Sequence, residues 1–275
     1  MLIIILIILY FYFIYQNGIL VNTNKFNTFE HGKKYKFKIP INKDEYLIFW
    51  YYKNNNNNIN NKTIIYFSGY FESYNLYFTP NRIKLFTNEP FNLNFIICDY
   101  RGMGLSKGKY NESNMLQDGI YLINYLINNK ENKILNINIS DIILYGYSIS
   151  TITILHINKY LFLYNLKPYK IILEAPLYIF SSNKLINKLI KKYIKYEFKS
   201  NIINNIHFIN SPILILHGYN DSIISYKQSI FIIKNIQNNN KINQYLYYVL
   251  IKNSGHHNIL KNNKIHKIMY NFLKN

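Results

Sequence analysis

The 275-residue chain has one cysteine, Cys98, and only two arginines, Arg82 and Arg101. A lone cysteine excludes an intrachain disulfide and a thiolate zinc cluster, so packing must hold the fold. Cys98 ends the apolar run Asn94 to Cys98 and is expected as a buried structural thiol. Acidic residues are also scarce, 13 against 32 Lys and Arg, which gives a formal charge of +19. Such a charge suits a polyanion, but the lysines are dispersed among Asn, Ile and Tyr and form no stripe. The balance reads as a compositional bias, and no nucleic-acid partner is expected. Apolar material is plentiful, 49% of residues with 17% aromatic, which a disordered chain does not carry. At this length one core and one main domain are expected.

Residues Met1 to Tyr15 are uninterrupted apolar or aromatic, and extension to Val21 adds only Gln16, Asn17 and Gly18. Twenty-one helical residues span roughly 31 Å, against a hydrocarbon core of about 30 Å. The segment lacks a basic n-region and a small-residue cleavage site, so residues 1–21 are expected to be an uncleaved single-pass membrane anchor. Lys25, Lys33, Lys34 and Lys36 follow it and place the remaining domain on the cytoplasmic side by the positive-inside tendency.

Beyond the anchor, Lys34 to Ile39 and Glu45 to Tyr52 read as two antiparallel strands, and the tract Asn54 to Asn61 as a flexible loop. Apolar runs at Thr63–Phe67, Asn94–Cys98, Ile142–Tyr145, Tyr169–Leu173, Pro212–Leu216 and Gln244–Leu250 predict further strands. Helices are expected at Met115–Asn128, Ile149–Leu163, Tyr226–Ile236 and Lys264–Leu273. Unbroken apolar strands alternating with helices predict an α/β fold: a mostly parallel central sheet with helices on both faces. Such sheets carry their sites at the carboxyl ends of the strands.

Gly146-Tyr147-Ser148-Ile149-Ser150 stands where a strand ends and a helix begins, the setting in which a strained turn presents a nucleophilic serine. A helix N-cap would explain an isolated Ser148, so its partners decide. Only Glu174, Glu197 and Asp221 are acidic beyond Ser148. Glu197 lies in the basic stretch Lys184 to Lys199 and reads as a surface charge. Asp221 ends His217-Gly218-Tyr219-Asn220-Asp221, just past a buried strand, and is the first choice of acid, with Glu174 in reserve. His256, directly after Gly255, is the expected base and His257 its rival; His31, His156, His207, His217 and His266 read as structural or surface residues. Asp221 would fix the tautomer of His256, which would take the proton from Ser148. The oxyanion donors are assigned to the amides of Ile149 and of Tyr70, in the turn Ser68-Gly69-Tyr70.

These residues, with Asp99-Tyr100-Arg101-Gly102-Met103-Gly104-Leu105-Ser106-Lys107-Gly108 and Leu173-Glu174-Ala175-Pro176, resemble the small membrane-anchored α/β-hydrolase-domain proteins, which include protein depalmitoylases and serine aminopeptidase-like relatives. The resemblance covers about 34–275 and implies an α/β-hydrolase domain with the chain order Ser148, Asp221, His256. It implies a serine esterase or thioesterase acting on lipid-like or acylated substrates at a membrane, without cofactor or metal. Two positions depart from the family pattern: Ser68 stands where a His is usual, and Ser150 where a Gly is usual. They keep open an inactive hydrolase fold that serves as a membrane-bound interaction protein. Gly102 to Gly108 could also be read as a dinucleotide loop, but lacks the Gly-x-Gly-x-x-Gly spacing.

Overall fold

The structure, a computed structural model, describes residues 32–54, 62–69, 78–129, 134–178, 203–238 and 245–274. The apolar segment 1–21, residues 55–61 of the Asn-rich tract, Tyr70, and the basic stretch Lys184–Lys199 lie outside them. Among the described residues no helix is long and apolar enough to cross a membrane.

Eight strands make one sheet: β1 (Gly32–Pro40), β2 (Tyr46–Asn54), β3 (Thr63–Phe67), β4 (Asn94–Asp99), β5 (Ile142–Tyr147), β6 (Lys170–Glu174), β7 (Ile213–Gly218) and β8 (Leu246–Ile251). Their order is β1-β2-β4-β3-β5-β6-β7-β8. β1 and β2 pair antiparallel with each other, as does β2 with β4, and the remaining pairs are parallel. All the strands expected from sequence are present, their ends displaced by one or two residues.

The burial pattern explains the pairing. β3, β5, β6 and β7 are buried along their whole length, as strands covered on both faces must be. β1 instead alternates, with Tyr35, Phe37 and Ile39 on the core side and Lys34, Lys36 and Lys38 opposite. Phe37 stacks on Phe49 of β2 at 4.9 Å.

Helices α2 (Glu112–Asn128), α3 (Ser150–Leu163) and α5 (Lys227–Gln237) cover one face; α1 (Phe78–Thr87) and α6 (Asn263–Lys274) cover the other. The short helix α4 (Ile203–Ile206) packs beside α3 and α5. α2 starts three residues before its expected beginning because the Asn111 side chain accepts a hydrogen bond from Asn114 N at 2.8 Å, an N-cap ahead of the apolar stripe. α1 was absent from the sequence expectation. Its segment has only a short apolar stripe: Ile83 and Phe86 turn inward, with Leu85 packed beside them.

The Gly102–Gly108 run is a structural turn. Gly102, Gly104 and Gly108 have φ of 77°, 52° and 142°. Ser106 Oγ donates to Asp99 O at 2.6 Å and accepts from Ile48 N at 2.8 Å, which ties the turn to β2. Arg101 donates to Asp118 of α2 from its backbone N (2.8 Å) and Nε (2.6 Å), and to Glu45 from a terminal nitrogen at 2.9 Å. These contacts tie the turn to β2 and α2, and its positive φ values and the close approach of Asp99 to Gly104 account for its glycines.

The other arginine clamps α1 to the end of β6. Arg82 donates to both carboxylate oxygens of Glu174 at 2.9 and 2.8 Å, and Tyr145 also donates to this carboxylate. Both charged side chains are buried, 6% and 1% exposed. Arg82→Ala is therefore expected to strand a buried carboxylate and to cost about 3–5 kcal/mol of stability. The measure is the urea unfolding midpoint of wild type and variant. A loss below about 1 kcal/mol, the worth of a solvated surface pair, would refute the clamp.

Candidate active site

The serine is presented by a sharp turn between β5 and α3. Ser148 has φ 57°, a left-handed backbone that non-glycine residues seldom adopt. The turn is tight enough that a Cβ on Gly146 would lie 2.6 Å from Ile154 Cγ1 and 2.9 Å from the Ser150 carbonyl oxygen. The strained residue is held on both sides. Its N–H donates to Glu174 O at 2.9 Å, and its carbonyl accepts from Thr151 Oγ1 at 2.7 Å. Ser148 is 8% exposed and stands at the carboxyl edge of the sheet.

The two departures from the family pattern meet here. The Ser150 hydroxyl donates to the carbonyl of Ser68, and the Tyr100 hydroxyl lies 2.9 Å from Ser150 Oγ. Ser150 thus joins the elbow to the turn after β3, a link that a glycine could not make. A Cβ on Gly69 would be 3.0 Å from the Tyr147 ring and 3.4 Å from Ser148 Cβ, so that turn passes directly over the elbow.

The loop after β7 meets the loop after β8. Asn220 N donates to Ser254 O at 2.9 Å, and a Cβ on Gly218 would lie 2.7 Å from the Gly255 carbonyl oxygen. This close approach brings Asp221 and His256 together: His256 Nδ1 is 2.7 Å from Asp221 Oδ2, and its Nε2 is 3.0 Å from Ser148 Oγ. Asp221 Oδ1 accepts from the N–H groups of Ile223 (2.9 Å) and Ile224 (2.8 Å). Burial raises the affinity of this carboxyl for a proton, but hydrogen bonds from His217, His256 and the Ile224 amide outweigh it and hold its pKa well below the usual value.

The candidates from the sequence, Tyr70 excepted, each have a definite place. Ser148, Asp221 and His256 form one hydrogen-bonded line. The reserve acid, Glu174, is occupied by Arg82 and Tyr145. The rival base, His257, has its Nδ1 2.7 Å from the Tyr147 hydroxyl, which also donates to the His256 carbonyl at 3.1 Å. His257 lines a groove of about 390 Å³ with Arg82, Lys84, Lys261 and His266. Its pKa is lowered by burial and by His256. Ile149 opens the first turn of α3, where N–H groups have no intrahelical acceptor. Tyr70 is outside the described residues. Among the described residues no group of three or more His, Cys, Asp or Glu is gathered as metal ligands would be.

Sequence reading missed the surroundings of this line: Arg82 over the Tyr147 ring at 4.5 Å, and His217, fully buried with Nε2 3.2 Å from Asp221 Oδ2. For His217 a signal was available. A histidine ending a wholly apolar strand must find buried partners.

No family model matches the chain. In sequence it is similar to an uncharacterized protein of Acanthamoeba polyphaga mimivirus, 27% identical over 221 residues, 72% of this chain and 68% of that protein. In structure it is similar to an esterase of Pyrococcus furiosus, with a TM-score of 0.69, 16% identity and 93% of this chain and 94% of that one covered. An α/β serine hydrolase homologue from Coxiella burnetii gives a TM-score of 0.60, at 14% identity, with 89% and 99% covered. These likenesses and the strand order show the α/β-hydrolase fold.

The lowered pKa of Asp221 has a defined sign in stability. The unfolded carboxyl titrates near a pKa of about 3.9. The contribution is therefore complete above that pH and is lost as pH falls below it. The stability gap between wild type and Asp221→Asn should stay open down to about pH 5 and shrink by about 1 kcal/mol by pH 3. Urea titrations at stepped pH measure it, and a gap constant over that range would contradict the assignment.

Proposed function

We propose that the chain is a serine hydrolase that cleaves carboxylic ester or thioester bonds through Ser148, His256 and Asp221. The observation that carries this reading is the unbroken line from Ser148 Oγ through His256 to Asp221, at 3.0 and 2.7 Å, on a serine held at φ 57°. The fold is one in which described neighbours are an esterase and serine hydrolases.

In this mechanism Ser148 Oγ attacks the acyl carbonyl carbon while its proton passes to His256 Nε2. Asp221 holds the ring by Nδ1 and stabilises the imidazolium that forms. The amide of Ile149 donates to the oxyanion, with a second donor assigned to the amide of Tyr70. Collapse of the tetrahedral intermediate expels the alcohol or thiol, which leaves with the proton from His256. Water then attacks the acyl-serine by the same route, regenerating Ser148 and releasing the acid.

The substrate is assigned to lipid-like or acylated molecules at a membrane. Two observations support this. Tyr219 and Ile223, on either side of Asp221 in sequence, are 51% and 61% exposed, an apolar rim beside the triad acid. The apolar run at 1–21 supplies a segment of spanning length, and the lysines after it favour a cytoplasmic catalytic domain.

The test uses full-length protein in mild detergent and a fluorophosphonate probe, which reacts only with an activated serine. Wild type should label and Ser148→Ala should not. His256→Ala and Asp221→Asn should lower turnover of an activated thioester by about 10³–10⁶-fold. A folded wild type that does not label would sink the enzyme reading and leave the membrane-bound interaction protein in its place.

A further inference from the structure

A second histidine stands on the far side of Asp221. His217, near the end of β7, is fully buried, and its Nε2 faces two oxygens: Ile224 O at 2.8 Å and Asp221 Oδ2 at 3.2 Å. Both are acceptors, since one is a carbonyl and the other belongs to a carboxylate. Nε2 must therefore carry a proton. Its Nδ1 lies 2.6 Å from the hydroxyl of Ser229, a fully buried residue of α5, and in the neutral ring accepts from it. The result is a line of polar contacts with Asp221 at its centre, Ser229, His217, Asp221, His256, Ser148, of which the 3.2 Å approach of His217 to Asp221 is the longest.

We propose that His217 is a positioning residue for the triad: it donates from Nε2 to Asp221 Oδ2 and shares this oxygen with His256. The role rests on the hydrolase reading, because it matters to the reaction only if His256 is the base. Its physical content is independent of that reading. Oδ1 is already committed to two backbone amides, which fixes the carboxylate plane, so both imidazoles must compete for Oδ2. A second donor draws negative charge from the oxygen that faces His256. His256 is then less stabilised as an imidazolium and remains available as a neutral base nearer to neutral pH. The two acceptors at Nε2 fix the tautomer, and the Ser229 hydroxyl satisfies the other ring nitrogen.

Among the described residues, other groups also face His256. Tyr147 approaches its ring at 5.1 Å from β5, with Arg82 of α1 stacked beyond it. His257 comes from its own loop at 5.0 Å. At Oδ2 itself the two imidazoles are those of His217 and His256.

The test follows ¹⁵N-labelled histidines by NMR in the full chain, in wild type, His217→Phe and His217→Gln. Wild type should show His217 as the Nε2–H tautomer. In His217→Phe the titration midpoint of His256 should rise by about half a pH unit or more. His217→Gln, whose side-chain amide puts an N–H where Nε2–H stood, should restore it. An Nδ1–H tautomer for His217, or an unmoved His256 in a folded Phe variant, overturns the proposal. If the Phe variant does not fold, His217→Asn takes its place, because its shorter side chain keeps a polar group near Ser229 and lacks the donor at the Nε2 position: the same upward direction is expected, and no movement refutes the idea. A purely packing role for His217 would lower stability and leave the His256 midpoint where it was. Fluorophosphonate labelling separates the two claims. A labelled protein with an unresponsive His256 sinks this inference alone, while an unlabelled protein with a responsive one sinks the hydrolase reading alone.

Discussion

The left-handed backbone at Ser148 is the constraint on which the rest of the site depends. A non-glycine residue at φ 57° costs about 1–3 kcal/mol, and it persists only where its surroundings over-determine it. Here Glu174 O takes the Ser148 N–H and Thr151 Oγ1 takes its carbonyl, while Gly146 lets α3 start close enough for both. Glu174 is itself fixed by Arg82 and Tyr145. The strain in one residue is thus borne by β6, by α1 and by the first turn of α3. The loops after β7 and β8 then need only approach each other over a fixed point.

Much of this arrangement is legible in the sequence, for a physical reason. Buried parallel strands must be apolar throughout, so Ile142–Tyr145 and Pro212–Leu216 declare themselves, and the polar residues that end such runs have few roles to fill. Ser148, Asp221 and His256 stand at such endings and are brought together. Less was legible where the fold relies on contacts distant in sequence. α1 has only a weak apolar stripe to mark it, and its hold on the sheet combines Ile83 and Phe86 with one buried ion pair, Arg82 to Glu174, across 92 residues of chain. Nothing local to Arg82 announces its partner.

Ser150 and Ser68 teach a related lesson. As letters, each departs from the family pattern. In space, the hydroxyl of Ser150 donates to the carbonyl of Ser68, which ties the elbow to the neighbouring turn. His217 is similar: it sits four residues before Asp221 and reads as a strand-end residue, yet its ring and that of His256 share one carboxylate oxygen.

The lysine alternation of β1 has a consequence for the molecule's behaviour in company. A sheet ends in unpaired backbone groups, and an outermost strand is a template on which another chain can align. Among the described strands β1 is the outermost on its side, and Lys34, Lys36 and Lys38 stand along one of its faces. A second copy that tried to zip onto it antiparallel would bring its own row of ammonium groups against this one, with like charges opposed. In a chain rich in Ile and Tyr, which favour strands, these lysines therefore oppose self-association at that edge.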